Sequence, residues 1–426
     1  MTSMKKRNAI DEAIESKRLQ NNPDAVYREL HAGGERLIFS EKWNAPVVFK
    51  YADVSDILRR PQEFSNCGRV VNHLRRTFPN EASSELKLLA DHYSAGLINS
   101  DPPDHTRLRR LIQQAFLPRT LERLRPRVDE ILRDLIARLR ASGRGDLVQE
   151  FAFQLPVTVI AELLGIPPGM HDQFKDWSVR IVEFMAVPNP DIEVMLRSQT
   201  ALLELREYLS SVFAERRSHS GDDVISILVN ACDDGDRLTE EELHSTCVTL
   251  LIGGHETTTS LLGSALWKLG VDRELRQTLQ RQPELLPTAV EEFLRTDPPF
   301  HRILRVTSRD LEVAGQPLPE GQTVILLLGA ANRDGLQFPD PDRFDARRSP
   351  NKHVAFGYGM HHCLGAGLAR LEAPAALSAF LAAFPDYECE PHPGWHDGMV
   401  RSITKLAANL TAGAGDAAYT ISEQGT

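Results

Sequence analysis

Cysteine is scarce and unpaired in this chain. The five residues Cys67, Cys232, Cys247, Cys363 and Cys389 are scattered, and no two form a CxxC pair. An odd, dispersed set offers no disulfide framework and fits a reducing cytosol, so a cytoplasmic location is expected. A long apolar run is missing where a targeting segment would need one. Lys5-Lys6-Arg7 imitates the charged start of a leader, but Asn8-Ala9-Ile10-Asp11-Glu12 follows it. Neither a signal peptide nor a membrane anchor is expected. Positive charge is not in excess either. A formal net charge of −10 argues against non-specific nucleic-acid binding. No internal repeat is visible.

The rest of the composition is that of an ordinary globular chain. With 426 residues, 42% hydrophobic and 25% charged, it can bury a large core as one big domain or two. Residues 1–35 are polar and read as a tail with a short helix. Trp43 to Tyr51 reads as a strand, and Asp53 to Arg60 as a short helix stopped by Pro61. Residues 64–100 are irregular, and a connection of that length is more often functional than idle. Asp101-Pro102-Pro103 then opens a helix on which His105 and Arg109, four apart, share a face suited to an anionic group or to solvent. Helical periodicity runs through Leu121–Leu139 and Leu147–Gly165 and on to Arg217, with a break at Pro188-Asn189-Pro190.

A capping box, Thr239 with Glu242, starts a helix that reaches about Leu269, roughly 45 Å at 1.5 Å per residue. Its middle is apolar nearly all round and meets Gly253-Gly254-His255-Glu256-Thr257-Thr258. Two glycines cost such a helix roughly 1–2 kcal/mol, which points to a flat ligand against the backbone or a local kink. Glu256 beside the Thr257 hydroxyl is an acid–alcohol pair in a buried setting, unless the threonine merely back-bonds to its own helix. Pro287 begins a helix carrying Glu292 and Arg295, three apart and able to pair. Phe300 to Arg305 reads as a strand whose alternation sets His301 and Ile303 opposite Arg302 and Leu304. Asp310–Val313 and Val324–Leu328 are expected to pair like a hairpin, and Tyr387 to Ala412 reads as terminal strands and turns.

One stretch organises all of this: Phe356-Gly357-Tyr358-Gly359-Met360-His361-His362-Cys363-Leu364-Gly365. It reads as a glycine-loosened loop delivering a cysteine to the start of a helix that runs to Phe380. A helix N-terminus favours thiolate over thiol. The glycines clear space around the sulfur for backbone N–H groups and a large flat ligand. A soft thiolate with open space suits iron better than a four-ligand structural zinc. The alternatives are a buried small hydrophobe and a Cys–His nucleophile using His361 or His362.

The stretch resembles the haem-binding signature of the cytochrome P450 family at Phe356, Gly357, Gly359, Cys363 and Gly365, and at Ala369 and Arg370 beyond. The segment Gly253 to Thr258, the pair Glu292/Arg295 and the run Asp101 to Arg109 match further family motifs in the same order. The resemblance spans about Trp43 to Leu410 and matches the soluble bacterial type. It implies a mainly α fold with small β-sheets, in helix-rich and sheet-rich subdomains around a buried haem. The expected layout is one catalytic domain over residues 36–412 with a disordered tail at 413–426.

The resemblance also implies roles. Cys363 would ligate the iron of haem b, with Phe356, Gly365 and Gly253 against the cofactor. His105, Arg109, Arg305 and His361 would hold its propionates. Glu256 would relay protons and Thr257 stabilise the iron-bound hydroperoxide. Glu292 and Arg295 would be a structural pair tied to a proline-rich meander near Phe338–Asp345. His301, Ile303 and Leu304 would line the substrate pocket, with Arg401–Thr404 reaching it and the break at Pro188–Pro190 lying in the lid. His255 receives no role. The implied activity is a monooxygenase acting as a monomer on a small apolar substrate. Electrons would come from NAD(P)H through ferredoxin reductase and ferredoxin, docking near Arg107 and Arg110, as no fused reductase is expected. The competing readings are a peroxygenase, dehydratase or isomerase on the same fold, and a haem-based sensor.

Overall fold

Helix starts fall where the sequence offers a capping oxygen. Asn8, Asp191, Asp223 and Thr239 each accept a hydrogen bond from the backbone N–H three residues on, and Thr239 with Glu242 completes the capping box. Each such cap is worth about 1 kcal/mol. The computed structural model describes residues 8–410 except 69–73, 75–76, 79–83, 187–190, 234, 397 and 399. The expected break at Pro188–Pro190 and the expected tail at 413–426 lie outside the described residues.

The helices are α1 (Ala9–Glu15), α2 (Arg18–Asn21), α3 (Pro23–Ala32), α4 (Tyr51–Arg59), α5 (Lys87–Ser94), α6 (Asp104–Ile112), α7 (Pro118–Glu122), α8 (Arg125–Ser142) and α9 (Gln154–Leu163). They continue with α10 (His171–Ala186), α11 (Ile192–Ser218), α12 (Val224–Asn230), α13 (Glu240–Val271), α14 (Arg273–Arg281), α15 (Leu286–Thr296), α16 (Leu328–Ala331) and α17 (Ala366–Ala383). The axis of the molecule is α13, 32 residues long and so about 48 Å at 1.5 Å per residue. It packs against α5, α9, α10, α11 and α17. Its apolar residues Leu243, Val248, Leu251, Leu262 and Leu266 anchor the largest buried cluster. Among the described residues one helix, Ala366–Ala383, is long and apolar enough to cross a membrane; more than half of it is buried inside the fold.

The largest sheet has the order β1 (Leu37–Ser40), β2 (Ala45–Val48), β8 (Thr323–Leu326), β5 (Ile303–Thr307), β3 (Phe64–Ser65). Only the β2–β8 pair is parallel, with Val47 opposite Ile325. Two smaller sheets join β4 (Arg144–Asp146), β10 (Ala407–Asn409) and β9 (Glu388–Cys389), and β6 (Leu311–Val313) with β7 (Gln316–Leu318).

Two expectations change here. The N-terminal stretch is more than a tail with one short helix: α1 and α3 bury Ile10, Ala13, Val26, Tyr27 and Leu30 in one cluster with Val47, Phe49 and Ile325 of the large sheet. Leu311–Val313 pairs with Gln316–Leu318, not with β8. The turn between them sets Ala314 at φ 53° and Gly315 at φ 79°, the left-handed pair a two-residue hairpin needs. Pro317 disguised the partner strand, because proline is confined to edges and this strand is one.

Candidate active site

The loop before α17 is held open by backbone geometry. Gly357 and Gly359 have φ of 70° and 69°, and a Cβ on Gly359 would lie 2.8 Å from the Leu58 carbonyl. The Cys363 N–H closes the loop on the Phe356 carbonyl at 2.8 Å. This places the Cys363 sulfur at the helix start, where the backbone N–H groups of Gly365 and Ala366 donate to it. A Cβ on Gly365 would sit 3.9 Å from that sulfur. Beneath the loop, the Arg370 guanidinium lies 4.7 Å from the Phe356 ring and forms a two-pronged pair with Glu291 at 2.8 and 2.9 Å.

Cys363 is a free thiol with an accessible side chain. Burial nevertheless pushes its pKa up, against the N–H donors, Arg109 and Arg370, which favour the thiolate. An atom both accessible and ringed by protein belongs at the floor of a recess. The reading as a buried hydrophobe therefore fails. So does a clustered metal site, since no group of three or more His, Cys, Asp or Glu able to hold an ion occurs among the described residues.

Helix α6 brings a second component. The His105 ring is buried and in contact with that of His361, centroids 4.1 Å apart. Neither ring nitrogen of His105 has a hydrogen-bond partner. Each such orphan costs about 1–3 kcal/mol unless something else satisfies it. The Arg109 side chain, one turn on, makes no hydrogen bond or ion pair among the described residues, and burial lowers its pKa with only Cys363 close enough to oppose this. An anionic, acceptor-rich group would satisfy both side chains. Arg107 and Arg110 differ. Arg107 pairs with Glu242 and with Asp236 at 3.4 Å, and Arg110 pairs with Asp233. The expected basic docking patch is thus neutralised by acids that approach from the segment before α13 and from its first turn.

On α13 the two glycines serve different ends. A Cβ on Gly254 would strike Ile160 of α9 at 2.8 Å, so this glycine permits close helix packing. Gly253 faces open space, with nothing within 4 Å of where its Cβ would be. Glu256 and Thr257 follow it by three and four residues and share its face. The Thr257 hydroxyl donates to the Gly253 carbonyl at 2.8 Å, leaving its lone pairs to accept. A Glu256 oxygen lies 3.1 Å from His255 Nε2, and that contact holds the carboxyl below its ordinary range although burial alone would raise it. The spacing gave no sign of this pairing; a histidine inside a helix apolar nearly all round was the available signal.

Glu292 and Arg295 are completely buried and joined by two 2.8 Å hydrogen bonds. Arg295 also donates to the Asn332, Pro341 and Arg343 carbonyls, while Glu292 accepts from Asp345 N–H, Arg348 and Asn351. The pair ties α15 to the meander and is no surface ion pair. Arg305 is buried on β5 with one nitrogen 2.8 Å from the Leu304 carbonyl.

One member of the expected substrate wall, His301, is engaged elsewhere. His301 is buried, with Nδ1 2.5 Å from Tyr27 Oη and Nε2 3.1 Å from Asp297, so neither ring nitrogen is free for a substrate. Ile303 and Leu304 are partly buried against two different apolar clusters on the two faces of the sheet. Arg401 turns to Asp297 at 2.6 Å and stacks on Trp395. The strand lies between β8 and β3, so both of its edges are paired.

A sulfur offered on a glycine loop, with Arg109 near it and His105 unsatisfied against the neighbouring His361, is the kind of site that takes a thiolate-ligated group. A family profile described as Cytochrome P450 matches residues 69–393. The chain is 38% identical over 366 residues to mycinamicin IV hydroxylase/epoxidase of Micromonospora griseorubida, across 84% of this chain and 87% of that one. It is 38% identical over 342 residues to vitamin D(3) 25-hydroxylase of Pseudonocardia autotrophica, across 80% of each. The solved structure of the polyketide synthase cytochrome P450 PksS from Bacillus subtilis 168 matches with TM-score 0.82 and 33% identity, over 92% of this chain and 98% of that one. The chain belongs to the cytochrome P450 family of haem-thiolate monooxygenases.

Proposed function

We propose that this enzyme inserts one oxygen atom from dioxygen into an apolar, medium-sized organic substrate, by hydroxylation or epoxidation, in secondary metabolism. Relatives named for mycinamicin IV and vitamin D(3) support a substrate of that size and polarity. Electrons come from NAD(P)H through an external ferredoxin reductase and ferredoxin. Residues 36–412 form one catalytic domain, against which α1–α3 pack.

The reading rests on one observation: an accessible, unpaired Cys363 sulfur beside a buried His105 whose ring nitrogens have no protein partner. Those residues fit a haem. Cys363 would supply the thiolate, and His105, Arg109, Arg305 and His361 would hold the propionates. Gly365, Phe356 and Gly253 would lie against the haem. When bound, thiolate-ligated haem supplies dioxygen binding and O–O cleavage. The chain supplies the rest. Thr257 Oγ1 offers an acceptor to a protonated oxygen, and Glu256 holds the proton to be delivered.

The test is the carbon monoxide adduct of the reduced, haem-loaded protein. The red-shifted Soret band of a thiolate–iron–CO species is expected in wild type and is lost in Cys363→Ser. A variant that retains that band places the ligand elsewhere.

A further inference from the structure

His255 sits at the centre of α13, completely buried, with hydrogen bonds that fix where its protons are. Nδ1 lies 2.7 Å from the Leu251 carbonyl one turn back. A carbonyl only accepts, so Nδ1 carries a hydrogen. Nε2 lies 3.1 Å from a Glu256 oxygen and 3.1 Å from Ser178 Oγ. A neutral ring with hydrogen on Nδ1 would turn an Nε2 lone pair toward a carboxylate lone pair, which is no hydrogen bond. A proton must lie on the Nε2–Oε1 axis, carried by one group or the other.

The geometry points to His255 as the positioning residue of the proton donor: it and Glu256 hold one shared proton, and Ser178 on α10 takes the place of Glu256 at the ring when the carboxyl leaves. Gly253, Glu256 and Thr257 lie on one face, and His255 is about 200° round the helix from Gly253, away from the open space. The proton moves from Nε2 to Glu256 Oε1, and the carboxylic acid turns toward the face it shares with Gly253. The freed Nε2 lone pair then accepts the Ser178 hydroxyl hydrogen. Uptake of one proton from water restores the pair. Phe153 meets the ring edge-on with centroids 5.7 Å apart, so no charge competes from that side. The other titratable group acting on Glu256 is His396, in the C-terminal segment, whose charge also lowers the carboxyl pKa. Because Ser178 belongs to α10 and His255 to α13, the relay also senses whether those two helices are together.

This inference rests on the role proposed above for Glu256, and the experiment separates the two. In the diamagnetic ferrous carbon monoxide form with 15N-histidine labelling, His255 Nε2 is expected to show a protonated-type shift at neutral pH. In Glu256→Gln it moves to the unprotonated type. An unprotonated-type Nε2 in wild type, or a shift indifferent to Glu256→Gln, overturns the shared proton. His255→Phe keeps the bulk and removes the proton. It is expected to show, by difference infrared spectroscopy at neutral pH, the carbonyl band of a protonated carboxyl that disappears in the His255→Phe/Glu256→Gln double variant. No such band overturns the inference without requiring turnover. In turnover, Ser178→Ala should raise the peroxide-to-product ratio about threefold, as loss of one neutral hydrogen bond would; an unchanged ratio removes Ser178 from the relay. If Glu256→Gln leaves coupling intact, the role of Glu256 itself fails. If it uncouples while the His255 signal does not respond, only the pairing fails.

Discussion

Thr257 shows how a single side chain can satisfy two readings at once. Its hydroxyl is back-bonded to Gly253, the structural use of a helical threonine, and that bond fixes the lone pairs as acceptors toward the face it shares with Gly253. Thr257→Ala should lower the ratio of product to released peroxide about tenfold, the effect of losing one hydrogen bond worth about 1.4 kcal/mol. Thr257→Ser, which keeps the oxygen, should stay near wild type. Equal coupling in both variants would show that the oxygen has no part in the reaction. Legibility at this scale depended on where a residue's partners come from. Cys363, and Glu292 with Arg295, could be read because the glycines and the three-residue spacing lie within a few positions of them. Arg107 could not, since Glu242 reaches it from 135 residues away. His301 could not either, since Tyr27 is 274 residues away.

At the scale of the element, α17 carries both the cysteine at its start and an unexplained acid inside. Glu372 is buried, its Oε2 has no partner, and burial pushes its pKa up to about 8 from 4.5. The folded protein thus keeps this side chain neutral while the unfolded chain ionises it. A carboxyl with a raised folded pKa leaves stability intact below the unfolded value and subtracts from it as pH rises toward 8. At pH 7 the penalty is on the order of 3 kcal/mol. Glu372→Gln should therefore melt higher than wild type, by a margin that widens between about pH 5 and pH 8. A margin independent of pH would mean that Glu372 does not titrate in that range. The same helix shows what sequence can give at this scale. Its start follows from the loop, and α13 follows from its capping box, because caps and periodicity are local. The β6–β7 hairpin was missed because an edge strand with proline has little strand signal of its own, while β8 pairs with β2 from the N-terminal part of the chain and with β5 shortly before it.

Across the whole molecule, a buried polar hub joins regions the sequence keeps far apart. Asp297, just after α15, accepts from His301 at 3.1 Å and Arg401 at 2.6 Å, and these two neighbours hold its carboxyl well below the usual range. Arg401 Nε donates to the Gln20 carbonyl at the end of α2, and its own carbonyl accepts from Ser260 of α13 at 2.6 Å. Since His301 Nε2 donates to Asp297, Nδ1 must accept, and Tyr27 of α3 donates to it at 2.5 Å. The hub thereby fastens the N-terminal helices and the C-terminal segment to the central helix. Tyr27→Phe removes only the hydroxyl and leaves Nδ1 buried without a donor, so stability should fall by about 1–3 kcal/mol in chemical denaturation. Substrate affinity, read from the haem spin-state shift, should stay within about twofold, because the hub is closed to ligand and one hydrogen bond is all that changes. Had His301 lined the substrate site, the balance would reverse: freeing its ring would change affinity, and stability would hardly move. Unchanged stability with altered affinity in Tyr27→Phe would return His301 to the substrate wall, whereas the expected pattern makes the N-terminal helices and the segment around Arg401 part of one cooperative core.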